Sequence, residues 1–249
     1  MIKNIKFAAG MALVAASQLA LADVAEVQVS DVNLSVSGGG WWYYLPVDVD
    51  WRDKSAGTSV GLNNPSFLDS AVFWHGNAGS SSVVDGASTA MASMTTQNPS
   101  DLNGMAAQAR VDVSGGQSGW SFAKVIDNQI LVAAGSTITV SLKLDSVLAQ
   151  GAMSQGNAYI ELCSTDFTTD TCLPANYAEA VVFGNAAYSG PTTLTASWTS
   201  PSTDNTWAKI HIGLTASAES VAAPVPEPTS LALWMAGLVS IALFRRRRA

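Results

Sequence analysis

The stretch Ile138-Thr139-Val140-Ser141-Leu142-Lys143-Leu144 has an apolar side chain at every second position and a polar one between them. This period of two indicates a β-strand with one face in a core and the other in water. Residues 27–36 and 207–214 repeat the pattern, and weaker versions occur at residues 109–113, 120–126, 158–162, 180–183 and 193–198. Clusters of Gly, Ser, Asn, Asp and Pro separate these runs, and no long stretch has a helical period. The sequence therefore predicts an all-β sandwich or barrel.

The succession of strands in the second half of the chain narrows this prediction. The strands expected in this half lie at residues 119–122, 135–140, 158–162, 194–198 and 207–214. This order resembles the jelly-roll sandwich of galactose-binding-like and carbohydrate-binding modules, and the resemblance favours a jelly roll over an immunoglobulin-type sandwich. Residues 76–104 show no clear period, so we expect a long surface loop there or a short helix around residues 87–94.

The C-terminal tail has three parts with different chemistry. A polar break, Val225-Pro226-Glu227-Pro228, precedes an uncharged apolar segment at residues 229–244, and four arginines follow at residues 245–248. As a helix the apolar segment would be about 24 Å long, shorter than a bilayer core of about 30 Å. The arginines Arg245, Arg246, Arg247 and Arg248 resist translocation and act as a membrane stop.

This layout resembles the PEP-CTERM sorting signal of Gram-negative bacteria. The resemblance implies that the membrane protease-transferase exosortase recognises the motif Val225, Pro226, Glu227 and Pro228 and then releases or transfers the mature chain. The alternative is an ordinary single-span anchor, for which the apolar segment is short. The resemblance covers residues 223–249 and implies nothing about the rest of the chain.

The N-terminus has the pattern of a secretory signal peptide. Lys3 and Lys6 form a basic region, residues 7–19 are apolar, and the small residues Ala20 and Ala22 mark a site for signal peptidase. We therefore expect residues 1–22 to be removed and the mature chain to begin at Asp23, although a retained membrane helix is the alternative. The exported domain then spans residues 23–222.

The charge of the exported domain excludes some partners. Six of the 12 basic residues and one of the 19 acidic residues lie in the two ends, which leaves six basic and 18 acidic residues and a net charge of about −12. Nucleic acid is therefore an improbable partner, because phosphate binding needs clustered Lys and Arg.

Cysteine and aspartate residues suggest two further features. Cys163 and Cys172 flank a polar segment and are expected to form a disulfide in an oxidising compartment. Asp48, Asp50 and Asp53 are a weak candidate for a structural calcium site. Because neighbouring Arg52 and Lys54 can neutralise these acids in a solvated turn, no cofactor or metal is otherwise expected.

Aromatic residues are the other candidates for chemistry. Seven of the eight tryptophans lie in the exported domain, and Trp41-Trp42-Tyr43-Tyr44 follows three glycines. In a strand Trp42 and Tyr44 share one face, and with Trp51 they could stack on sugar rings. The competing interpretation is that these rings fill the core.

Catalytic motifs do not stand out. His75 and His211 are the only histidines, and His211, which shares a strand face with Trp207, Lys209 and Gly213, reads as an exposed strand histidine. A distant carboxylate pair for glycoside hydrolysis stays open. Charged residues make up only 12% of the chain, which suits a surface or matrix protein. The sequence thus favours a non-enzymatic structural protein, with a carbohydrate-binding module acting on exopolysaccharide as the alternative and a secreted polysaccharide-active enzyme as the third.

Overall fold

The period-two runs of the sequence are strands in the structure. The computed structural model describes residues 22–38, 51–52, 55–63, 68–74, 78–95, 102–165 and 172–221. These residues form strands and no helix: β1 Asp23–Ser37, β2 Trp51–Arg52, β3 Ser55–Leu62, β4 Leu68–Trp74, β5 Gly79–Asp85, β6 Ser88–Thr95, β7 Ala106–Val113, β8 Ser118–Val132, β9 Thr137–Gln150, β10 Gln155–Thr165, β11 Cys172–Phe183, β12 Ala186–Ala187, β13 Thr193–Thr199 and β14 Thr206–Glu219. All of them belong to one unit, Leu21–Val221.

The strands form two antiparallel sheets. The first has the order β5-β6-β7-β1-β9, with β12 and β13 both pairing with β9. The second has the order β4-β3-β8-β14-β10-β11, with β2 beside β8. Within these ranges none of the elements is a helix that could cross a membrane. The all-β sandwich predicted from the sequence is confirmed.

The order of the central strands is that of a jelly roll. Four strands of the first sheet, β7-β1-β9-β13, lie opposite four of the second, β8-β14-β10-β11. From β7 to β10 the chain alternates between the sheets, as in the eight-stranded double Greek key. The first strand, β1, occupies the position that the last strand has in the usual jelly-roll order.

The core lies between the two inner faces. Alternate residues of the central strands are fully buried there. Burial of each large apolar side chain stabilises the fold by roughly 1.5–3 kcal/mol. The largest on these strands are Val27, Val29, Ile130, Ile138, Leu142, Ile160, Leu162, Ile210, Ile212 and Leu214. The period of two in the sequence therefore marks the inward-facing set correctly on β9 and β14.

Both ends of the sandwich domain emerge at one pole. Asp23, at the start of β1, pairs with Val113, the last residue of β7. Ser220, directly after β14, donates its N–H to the Gln117 carbonyl at 2.8 Å, and its hydroxyl oxygen accepts the N–H of Gly116 at 2.9 Å. The β7–β8 turn, in which Gly116 has a φ of 83°, therefore fastens both ends. We call this end of the sandwich the terminal pole.

Residues 79–95, within the segment that showed no clear period, form a hairpin. The prediction of a surface loop or a short helix at residues 87–94 is wrong, because β5 and β6 pair from Gly79↔Met94 to Asp85↔Ser88. On β6 the buried residues Ala90 and Ala92 are smaller than the exposed Met91 between them. Hydrophobicity therefore does not alternate there, although the direction of the side chains does.

Polar side chains cover backbone groups at the lateral edges of the sandwich. On one side the Asp69 carboxylate on β4 accepts the Ser82 N–H of edge strand β5 at 2.9 Å. On the other side the Asn176 amide on β11 donates to the Ser197 carbonyl of edge strand β13 at 2.5 Å. Such contacts occupy groups that would otherwise be free to pair with another chain.

Candidate functional site

Aromatic side chains gather on the outer face of the second sheet. Four of them lie near one another, namely Trp120 and Phe122 on β8, Tyr159 on β10 and Tyr177 on β11, while Phe183, also exposed, lies apart at the end of β11. We call these four residues the aromatic face. Trp120 is 39% exposed and Tyr177 is 53% exposed, so large apolar surface meets water here. Such exposure of clustered rings is uncommon on a protein surface and is typical of binding sites.

The outer face of the first sheet has different chemistry. Between β9 and β13 it carries paired hydroxyl groups whose oxygens lie 2.8–3.1 Å apart: Thr137 with Thr199, Thr139 with Ser197, and Ser141 with Thr195. These cross-strand pairs satisfy one another and hold the register of the two strands. The two outer faces of the sandwich are thus distinct, and the aromatic rings lie on only the second.

The first half of the aromatic face is a stacked pair beside a glycine. The Trp120 and Phe122 ring centroids lie 5.5 Å apart and the rings are inclined by only 13°. Trp120 pairs across the strands with Gly61, and a Cβ built on Gly61 would lie 2.7 Å from the indole Nε1. The indole therefore lies across the space that a side chain at position 61 would fill.

The second half repeats this arrangement on other strands. The Tyr159 and Tyr177 centroids lie 6.1 Å apart with an inclination of 25°. Tyr159 pairs with Gly213 on β14, and a Cβ on Gly213 would lie 2.3 Å from the Tyr159 ring. Both aromatic pairs therefore depend on a glycine of the neighbouring strand, over which one ring of the pair lies.

Polar groups lie between the rings. The Lys124 ammonium lies 4.6 Å from the Phe122 ring centroid, a distance suited to a cation–π contact. Beside Tyr177 in the register, Glu161 approaches the His211 ring with 3.3 Å between Oε2 and Nδ1. The face thus offers charged donors and acceptors at the borders of its apolar surface.

The pKa values of the two tyrosines of the aromatic face are raised, which favours the neutral phenol. Burial, hydrogen bonding and charge from Glu179, and the neighbouring Tyr159 raise the pKa of Tyr177 to about 12, against an opposing hydrogen bond with Asn157. Burial and the Glu161 charge raise the pKa of Tyr159 as well. Both hydroxyls therefore stay protonated at neutral pH and are able to donate hydrogen bonds.

The four rings follow a diagonal across the sheet. Moving from β8 to β11 through β14 and β10, each aromatic residue lies further from the terminal pole than the one before. With strands about 4.8 Å apart and a rise of about 3.4 Å per residue, Trp120 and Tyr177 are separated by about 25 Å. The aromatic face is therefore a track rather than a single pocket.

The structure does not test the residues singled out in the sequence for binding. Trp42, Tyr44, Asp48, Asp50 and Asp53 are outside the described residues. The backbone of Trp51 pairs with Ile130 in the second sheet, but its side chain is also outside them. Among the side chains that the structure describes, no group of three or more His, Cys, Asp or Glu could hold a metal ion.

The strand side predicted for His211 is present in the structure. Lys209, His211 and Gly213 alternate along β14, although Trp207 and Lys209 are buried, at 9% and 3% exposed. The side chain of His211 is 25% exposed and lies against Glu161. Gly213 does face outward, where the Tyr159 ring covers it.

The disulfide stays a prediction. Cys163 is completely buried, and no described cysteine is a free thiol. In the β10–β11 register Cys172 lies opposite Thr165, close to Cys163 in the hairpin. The Cys172 side chain lies outside the described residues, as does Ala20 of the expected signal-peptidase site, whereas Ala22 is exposed just before β1.

Sequence reasoning missed the aromatic face because its members come from three strands. One signal was present on β8. In the run Trp120-Ser121-Phe122-Ala123-Lys124 the charged residue shares a side with both aromatics. Because a lysine ammonium rarely faces a core, this side had to face water, and the small residues between had to face inward.

Comparison with known proteins identifies only the tail. Residues 224–248 match the family model of the PEP-CTERM protein-sorting motif. No curated protein matches the chain. The crystal structure of vicilin from hazelnut (Corylus avellana) aligns with 79% of this chain and 76% of its own at 5% identity, with a TM-score of 0.13 that carries no argument. The chain therefore carries, at its C-terminal end, the PEP-CTERM motif that implies export and sorting by exosortase.

Proposed function

We propose that this protein is a non-enzymatic structural component of the cell surface or of an extracellular polysaccharide matrix, reached after signal peptidase and exosortase have processed its two ends. The sorting motif carries the proposal, because it begins at residue 224 and the sandwich ends at Val221. Cleavage within the motif would therefore release a complete sandwich. The tail would pass transiently through the inner membrane, as its apolar segment and arginines require.

The properties of the sandwich support this role. Its net charge of about −12 favours solubility in a hydrated matrix, and its edge strands are tied by side chains that oppose uncontrolled pairing. A surface or matrix role needs a stable and soluble domain, and the jelly roll provides one.

The intact mass of the protein from membrane, surface and medium fractions of its host tests the proposal. A chain that begins at Asp23 and ends within residues 226–228, recovered from the surface or medium, is expected. Additional mass in hexose steps would indicate a glycosylated matrix component. A chain that still ends at Ala249 in the membrane fraction would contradict the proposal and indicate a plain anchor.

The proposal that the protein is not an enzyme can be tested separately. The purified protein is expected to release no reducing sugar from host exopolysaccharide during prolonged incubation. Steady product release that scales with protein concentration would instead support the third interpretation, a secreted polysaccharide-active enzyme. A carbohydrate-binding role, the alternative from the sequence, is favoured by the aromatic face and is developed below.

A further inference from the structure

We propose that the aromatic face binds a neutral, extended polysaccharide chain whose sugar rings stack on Trp120, Tyr159 and Tyr177. The inference deepens the matrix role proposed above by naming a ligand class and the residues that bind it. It rests on that role only in one respect, namely that the protein meets the polysaccharide at the cell surface or in the matrix.

The orientation of the rings is the first argument. Gly61 and Gly213 leave room for the Trp120 indole and the Tyr159 phenol to lie across the neighbouring strand, instead of standing upright between side chains. Ring surface meets water in both pairs, because Trp120 and Tyr177, which stacks beside Tyr159, are well exposed. Pyranose rings expose C–H groups on their faces, which pack well against such broad aromatic surfaces.

The length of the track is the second argument. The aromatic residues extend over about 25 Å and are arranged as two stacked pairs rather than around a cavity. A single sugar would contact one pair only. An extended chain running along the diagonal would contact both, and each added contact would lower the rate of dissociation by joint attachment.

Polar groups along the track suit a ligand rich in hydroxyls. Lys124 lies between the two aromatic pairs, since it and Tyr159 both oppose Gly213 on β14. Glu161, whose carboxylate contacts the His211 ring, lies beside Tyr177 and offers an acceptor. Sugar hydroxyls both donate and accept hydrogen bonds. A neutral sugar can therefore bind the Lys124 ammonium and the Glu161 carboxylate without carrying a charge of its own.

The negative charge of the domain favours a neutral ligand over an anionic one. The domain carries about −12, and the carboxylates Glu161 and Glu179 lie at the Tyr177 end of the track. Lys124 contacts the Phe122 ring, which belongs to the other aromatic pair. A polyanionic glycan or nucleic acid would be repelled, although its rings could stack. A protein partner would insert side chains into pockets, whereas this face presents rings lying across a sheet.

Affinity electrophoresis of the purified mature protein tests the inference. The probes are three neutral glycans, namely hydroxyethyl cellulose, laminarin and dextran, and one polyanion, polygalacturonate. We expect retardation by at least one neutral glycan and none by the polyanion. Retardation by no neutral glycan, or only by the polyanion, would overturn the inference.

Variants locate the binding surface. Trp120→Ala and Tyr177→Ala remove exposed rings and should each weaken binding roughly tenfold, which corresponds to about 1.4 kcal/mol. Gly213→Ala keeps every aromatic residue but forces the Tyr159 ring off its strand, and it should also weaken binding. Met91→Ala and Val84→Ala remove exposed apolar side chains from the first sheet and should leave affinity unchanged.

The results separate this inference from the proposed function. Binding that survives all three variants of the aromatic face would overturn the inference even if the protein is sorted as expected. Conversely, a chain that retains its tail but binds neutral glycan through Trp120 and Tyr177 would support the inference and contradict the proposed processing. Far-ultraviolet circular dichroism of each variant confirms that the sheet is intact.

Discussion

Tyr177 shows how a single residue of the aromatic face is tuned. Its ring is half exposed, but its hydroxyl interacts with Glu179 and Asn157, and its pKa lies about two units above the ordinary tyrosine value. The unfolded chain, whose pKa is near 10, loses this proton first as the pH rises. The contribution of Tyr177 to stability is therefore fully present below about pH 10 and is lost as the pH rises through about 12.

Glu179→Gln should lower the pKa of Tyr177, because it removes a carboxylate that disfavours the phenolate. Burial, the largest cause of the shift, remains, so the pKa should stay above 10. Near-ultraviolet absorbance titration measures this shift, and Tyr177→Phe identifies the late-titrating signal. Glu219→Gln, an exposed acid at the terminal pole, is the matched control and should not change the titration. An unchanged pKa in Glu179→Gln would contradict the assignment.

Asp69 illustrates how one strand depends on the side chain of another. It binds the Ser82 N–H of β5, which pairs with β6 as the last strand of the first sheet. Asp69→Ala should cost at most about 1 kcal/mol of unfolding free energy, because water can replace an exposed acceptor. It should, however, open the edge to other chains and raise self-association.

Sedimentation velocity over a range of protein concentrations measures this association. Asp204→Ala is the matched control, since it removes an exposed acid from the β13–β14 connection rather than from an edge. If Asp69→Ala stays as monomeric as the control at high concentration, the carboxylate does not protect the edge.

The strands differ in how far the sequence predicts them. On β9 and β14 large aliphatic residues alternate with polar ones, so the pattern identifies both the strand and its inner face. On β6 the inner face combines Ser88, Ala90, Ala92 and Met94 while the outer face carries Met91, so composition hides the same geometry. A hydrophobicity pattern reveals a strand only when the inward-facing residues are both larger and less polar than the outward-facing ones.

The aromatic face lay beyond sequence reasoning for a different reason. The contiguous aromatics at residues 41–44 attract attention because they are neighbours in the chain. The rings of the aromatic face become neighbours only through the register of β8, β14, β10 and β11. Pairing between distant strands is decided by the whole fold, which no local pattern contains.

At the scale of the molecule, the terminal pole makes the order of the strands testable. Because β1 begins and β14 ends at the same turn, a short Gly/Ser linker from Val221 to Asp23 should restore the usual jelly-roll connection. New termini fit between Ser202 and Thr203, in the connection between β13 and β14. We expect this circular permutant to fold with nearly unchanged thermal stability.

Thermal unfolding followed by circular dichroism checks this permutant. The same opening at Ser202 without the linker divides the chain in two and is the control, which should lose cooperativity. A linked permutant that unfolds without a cooperative transition would show that the two ends are not close enough to join.

The position of β14 also decides how the molecule would carry a load. Its end leads directly into the tail, and it lies in the middle of the second sheet with β8 on one side and β10 on the other. A force applied at the C-terminus would therefore act along the strand and shear two hydrogen-bond ladders at once. A strand at the edge of a sheet would instead peel away bond by bond. A sandwich held at a surface by this end would resist flow through a strand that is paired on both sides.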